Sequence, residues 1–114
     1  MDPKRAAERL QAERARIEAA LAELAPGDED ELSDLDQHMA DDATELFEEE
    51  RDAGLAERLR EELAAIERAE QRLMQGTYGL SVESGEPIPD GRLEIIPWAE
   101  RTAEEQARYE QLGR

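Results

Sequence analysis

Leu55-Ala56-Glu57-Arg58-Leu59-Arg60-Glu61-Glu62-Leu63-Ala64-Ala65-Ile66-Glu67-Arg68-Ala69-Glu70-Gln71-Arg72-Leu73-Met74-Gln75-Gly76 decides the fold of this 114-residue chain. Leu55, Leu59, Leu63, Ile66 and Leu73 stand at helical spacing and predict one apolar face on a helix. Gly76 supplies the stop, because a glycine accepts the left-handed conformation in which helices often end. Upstream, the helix is expected to begin at Asp41 or Asp42. Asp42 with Glu45 three residues later matches a capping box. At 1.5 Å per residue such a helix is on the order of 50 Å long.

Further toward the N-terminus, residues 3–25 predict a second helix. Leu10, Ile17, Leu21 and Leu24 recur at spacings of a coiled-coil stripe, among alanines that favour helix, and Pro26-Gly27 ends it. Two amphipathic helices joined by a connector bury their stripes most simply against each other, as an antiparallel hairpin over 1–75. The hairpin's acidic tip then falls around residues 26–45, where residues 26–41 read as an irregular acidic connector with a short turn expected at Glu31–Asp36. No helical period continues past Gly76. Residues 76–114 read as a small lobe with turns at 76–79 and 85–91 and a short strand at 78–82. Its apolar residues are Tyr78, Leu80, Ile88, Leu93, Ile95, Ile96 and Trp98, with Trp98 expected in its core. A last helix is expected from about Thr102 to Leu112.

Charge narrows the function. The chain carries 31 acidic and 14 basic residues, a formal net charge of −17. Residues 28–50 alone hold twelve acids and no Lys or Arg, and so supply most of that field. Such a surface repels phosphate, so direct nucleic-acid binding is not expected; a basic protein groove or a metal-bearing site is the more natural partner. No run of 18 apolar residues predicts a membrane span, and the N-terminus has no secretory pattern. There are no cysteines, which removes disulfides and thiolate metal sites. A cytoplasmic, monomeric protein without cofactor is the expectation.

No catalytic residues stand out. One histidine, His38, stands alone, and Ser33, Ser81 and Ser84 have no general base at motif spacing. The acids of 28–36 do not form an EF-hand, because no glycine follows Gly27 until Gly54. An enzyme is therefore not expected.

Two strings carry a family resemblance. Gly76-Thr77-Tyr78-Gly79-Leu80-Ser81-Val82-Glu83-Ser84-Gly85-Glu86-Pro87-Ile88-Pro89, followed by Arg92-Leu93-Glu94-Ile95-Ile96-Pro97-Trp98-Ala99, resembles the zinc-finger end of the DksA/TraR family. Glu31-Leu32-Ser33-Asp34-Leu35-Asp36-Gln37-His38-Met39-Ala40-Asp41-Asp42-Ala43-Thr44-Glu45-Leu46-Phe47-Glu48 resembles the coiled-coil tip and second helix of its shorter, YteA-like members. The resemblance covers roughly residues 30–112. It implies a mainly α fold: a long helical hairpin, then a degenerate zinc-finger-like lobe and a short terminal helix. It also implies a bacterial transcription regulator that binds RNA polymerase without DNA and enters its secondary channel with the acidic tip.

Carried over residue by residue, the family's tip motif falls on His38, Asp41 and Ala43, with His38 where the family has its first Asp. Asp34, Asp36 and Asp42 lie close by in sequence and complete the candidate partner-binding set. The four zinc cysteines of the family fall at Ser81, Ser84, Thr102 and Glu105. Hydroxyls are poor Zn²⁺ ligands, so no metal is expected there. Arg92 and Arg101 are candidate contacts of the lobe, to the hairpin's base or to an acidic rim on a partner. The reading from a different class is an acidic helical-hairpin adaptor that docks another basic protein or associates with itself.

Overall fold

The structure is a computed structural model that describes the backbone over residues 1–24 and 42–112 and the side chains over 1–24 and 51–112. The connector, its turn at 31–36, and the candidate residues Asp34, Asp36, His38 and Asp41 lie outside the described residues. Asp42 and Ala43 open the second helix, and their side chains also lie outside. The elements run α1 (Pro3–Leu24), α2 (Asp42–Gln75), α3 (Asp90–Ile95) and α4 (Ala103–Leu112). The fold is mainly helical, and α1 packs on α2 in a hairpin.

The chain divides into two compact units, Met1–Arg14 with Ala64–Arg114, and Ala15–Leu63. The division crosses both long helices, and it groups residues 76–114 with the ends of α1 and α2 that adjoin them. In the first unit Ala6 and Leu10 of α1 and Ala65, Ile66 and Ala69 of α2 are buried. In the second, Ile17, Ala56 and Leu59 are buried. Along α1 the covered positions include 6, 10, 13, 17, 20 and 24; along α2 they include 52, 56, 59, 63, 66, 70 and 73. Both rows alternate steps of four and three, the seam of a coiled coil. Leu55, expected on the apolar face, is 38% exposed, because the seam passes through its neighbour Ala56.

The end of α2 is a Schellman motif. Thr77 N donates to Arg72 O at 2.9 Å and Gly76 N to Leu73 O at 3.3 Å, with Gly76 at φ +81. The lobe that follows contains no strand among the described residues. The segment expected to be one, 78–82, makes a single antiparallel bridge, Leu80 to Pro87. Gly79 (φ +87) and Gly85 (φ +76) turn the chain out of extended geometry on either side, so no ladder can continue. The lobe's core is Ile88, Leu93 and Ala99, with Met1, Tyr78 and Ile96 packed against it. Pro97 is fully buried. Leu80 is exposed and Trp98 is half-buried outside this cluster, so the core does not form around the tryptophan.

Candidate functional site

The four positions where the family resemblance puts cysteines are brought together. The turn 81–85 is closed by Gly85 N donating to Ser81 O at 3.0 Å, and Ser81 N donates to Glu86 O at 2.8 Å. Inside it the Ser81 hydroxyl oxygen accepts from the backbone N–H groups of Glu83 (3.0 Å) and Ser84 (3.2 Å). Its proton goes to Glu105 Oε1 at 2.6 Å. A hydroxyl offers one donor and two acceptor positions, and Ser81 uses all three.

Glu105 reaches this turn because it lies in the first turn of α4. Thr102 and Glu105 form a reciprocal capping box. Glu105 N donates to Thr102 Oγ1 at 3.2 Å, and Thr102 N donates to Glu105 Oε1 at 2.9 Å. The Ser84 hydroxyl also favours the ionised form of the Glu105 carboxyl, and its oxygen accepts from Glu86 N at 3.2 Å. Ser81 is 5% exposed and Glu105 6%. The Ser81 hydrogen bond above all, then that of Ser84 and the Thr102 N–H, pulls the Glu105 carboxyl down to about 2. Glu105 is therefore an ionised, enclosed carboxylate with every visible partner a donor.

These residues do not fit a zinc ion. Three of the four donors are hydroxyl-bearing side chains, and the Ser81 hydroxyl is fully used within the protein. Glu105 is the single anionic donor, whereas a closed structural zinc site takes four thiolate or imidazole ligands. Among the described residues no group of three or more His, Cys, Asp and Glu is placed to hold a metal.

Arg92 and Arg101 are both engaged within the lobe. Arg92 Nε donates to Arg101 O at 2.9 Å. Arg101 Nε pairs with Glu83 Oε2 at 2.7 Å, and its guanidinium lies 3.8 Å from the Tyr109 ring centroid. Other arginines tie the helices to the lobe. Arg68 grips Glu100 in a bidentate pair at 2.8 and 3.0 Å, and Arg72 adds a bond at 3.3 Å. The Arg68 bond holds the Glu100 carboxyl below its ordinary value. Arg5 grips Glu94 likewise at 2.9 and 2.8 Å, with the same effect on Glu94, and Arg9 donates to the Glu94 carbonyl oxygen. Tyr78 donates its hydroxyl proton to Pro97 O at 2.8 Å. On the hairpin itself Arg14 sits 2.5 Å from Glu70 and 3.5 Å from Glu67.

Sequence reasoning did not find these latches, because a Glu–Arg pair far apart in sequence leaves no local pattern. The Thr102-x-x-Glu105 capping box did leave one, in the same form as that read at Asp42.

Comparison with known proteins agrees with this layout. Residues 76–111 match the family model described as the prokaryotic dksA/traR C4-type zinc finger. Over 74 residues, 65% of this chain, it is 46% identical to YteA of Bacillus subtilis (strain 168), covering 31% of that protein. Over 76 residues, 67% of this chain, it is 34% identical to the RNA polymerase-binding transcription factor DksA of Caulobacter vibrioides, covering 54% of it. The chain thus spans 31% to 54% of the length of these relatives. The structure of transcription factor DksA2 from Pseudomonas aeruginosa matches with a TM-score of 0.63 at 30% identity, over 97% of this chain and 81% of that one. Hairpin, finger-like lobe and terminal helix thus follow one known plan, and the chain, with no cysteine at all, belongs to the DksA/TraR family.

Proposed function

We propose that this protein is a transcription regulator that binds RNA polymerase, entering its secondary channel with the acidic end of the hairpin and making no contact with DNA. One observation carries the reading. Twelve acids and no Lys or Arg are concentrated in residues 28–50, a stretch that runs from the segment joining two helices that pack as a hairpin into the first turns of the second. The family, and the DksA relative that binds the polymerase, support it. A strongly negative hairpin end is attracted to a basic channel and repelled by nucleic acid, and long-range attraction of this kind speeds docking. In this reading one copy of the chain serves one polymerase in the cytoplasm, and the effect is steric and electrostatic, not catalytic. No helix among the described residues is long and apolar enough to cross a membrane.

Asp34, Asp36, Asp41 and Asp42 are the proposed effector carboxylates, with His38 and Ala43 in the same contact surface. The test is transcription in vitro with the intact chain beside a D34N/D36N/D41N/D42N variant. The variant is expected to keep its helical content and lose the effect on initiation. An unchanged effect, or binding to an unrelated basic protein with none to polymerase, would favour an adaptor.

A further inference from the structure

We infer that Glu105, held by Ser81, Ser84 and Thr102, is this chain's internal substitute for a metal ion: an enclosed carboxylate that fastens the first turn of α4 to the 81–85 turn. The inference does not depend on what the protein binds. Its basis is geometric. A structural zinc works by joining side chains from two segments at one centre. Here the two segments are the 81–85 turn and residues 102–105, and the centre is Glu105 Oε1, with donors at 2.6 Å from one segment and 2.9 Å from the other.

The fastening matters because α4 has little else. Glu105 is its one buried residue, and every position from Ala107 to Leu112 is exposed. Beyond the first turn, the Arg101–Tyr109 stacking contact joins the helix to the residue preceding its own cap. The lobe's apolar core, Ile88, Leu93 and Ala99, contains no residue of α4. Removing the carboxylate therefore takes away both the capping-box acceptor and the bridge to Ser81. The latches at Glu94 and Glu100 stay in place, because they share no residue with the Glu105 cluster.

Amide hydrogen exchange of the intact chain at neutral pH reads this directly. Wild-type α4 is expected to be protected equally with a strong chelator, with added Zn²⁺ and with neither. In E105A, exchange over 103–112 is expected to accelerate on the order of tenfold or more, with E105Q between the two and S81A also accelerated. Peptides covering 56–70 should be unchanged. Faster exchange of wild-type α4 with chelator would overturn the inference, since a metal would then be holding the lobe. So would an unprotected wild-type α4, or wild-type rates in both E105Q and S81A; these two milder variants decide the matter if E105A does not fold.

Discussion

Ser81 concentrates in one hydroxyl what a metal-binding finger spreads over a sulfur and an ion. It accepts from two turn amides and donates to Glu105, three bonds that a side chain without a hydroxyl cannot make together. Ser81→Ala leaves those amides without their acceptor and is expected to cost roughly 1–3 kcal/mol in denaturant unfolding. Acid acts on the other end of the same bond. The folded Glu105 carboxyl titrates at about 2 against an ordinary 4.5, so the folded state binds its proton less readily than the unfolded chain does. Its contribution is complete above about pH 4.5 and is lost as pH falls toward 2. Glu94 and Glu100, lowered by Arg5 and Arg68, act in the same direction. Unfolding free energy measured across that range should decline below pH 4.5, and E105Q should decline less. Identical slopes for the two proteins would show that Glu105 is not held as described.

The long helices were legible because leucine and isoleucine recur along them. Their seam was only partly so. Ala6, Ala56, Ala65 and Ala69 are buried, yet alanine gives little hydropathy contrast and in the sequence signals only a helix former. Leu55, the more hydrophobic neighbour, drew the apolar face one position away from Ala56. The structure therefore separates two leucines of similar sequence context. Leu10→Ala, at a fully buried seam position, is expected to cost about 2–5 kcal/mol, whereas Leu55→Ala should stay within about 0.5 kcal/mol. Ala69→Leu should also destabilise, by about 1–3 kcal/mol, because a fully buried alanine leaves no room for three further carbons. Thermal melts of the three variants check the register. The lobe was less legible, because left-handed glycines and hydrogen bonds across twenty or more residues organise it, and neither leaves a period in the sequence. Trp98 was expected at its centre on size alone, but the cluster of Ile88, Leu93 and Ala99 is completed by Tyr78 and Ile96 instead.

Charge is the property of the whole molecule. Residues 1–25 are balanced and 51–75 carry a net −1, so the −12 of residues 28–50 stands out between near-neutral stretches. If that stretch steers the protein into a basic channel, the association rate should fall steeply as salt shortens the Debye length from about 30 Å at 0.01 M to about 8 Å at 0.15 M. The dissociation rate should change far less. Stopped-flow binding at several ionic strengths measures both, and a salt-independent association rate would remove the steering role. The most direct measurement is competition for purified core RNA polymerase between this protein and another factor whose hairpin enters the secondary channel. Mutual displacement is the expected result. Simultaneous occupancy, or no binding to the polymerase at all, would contradict the account.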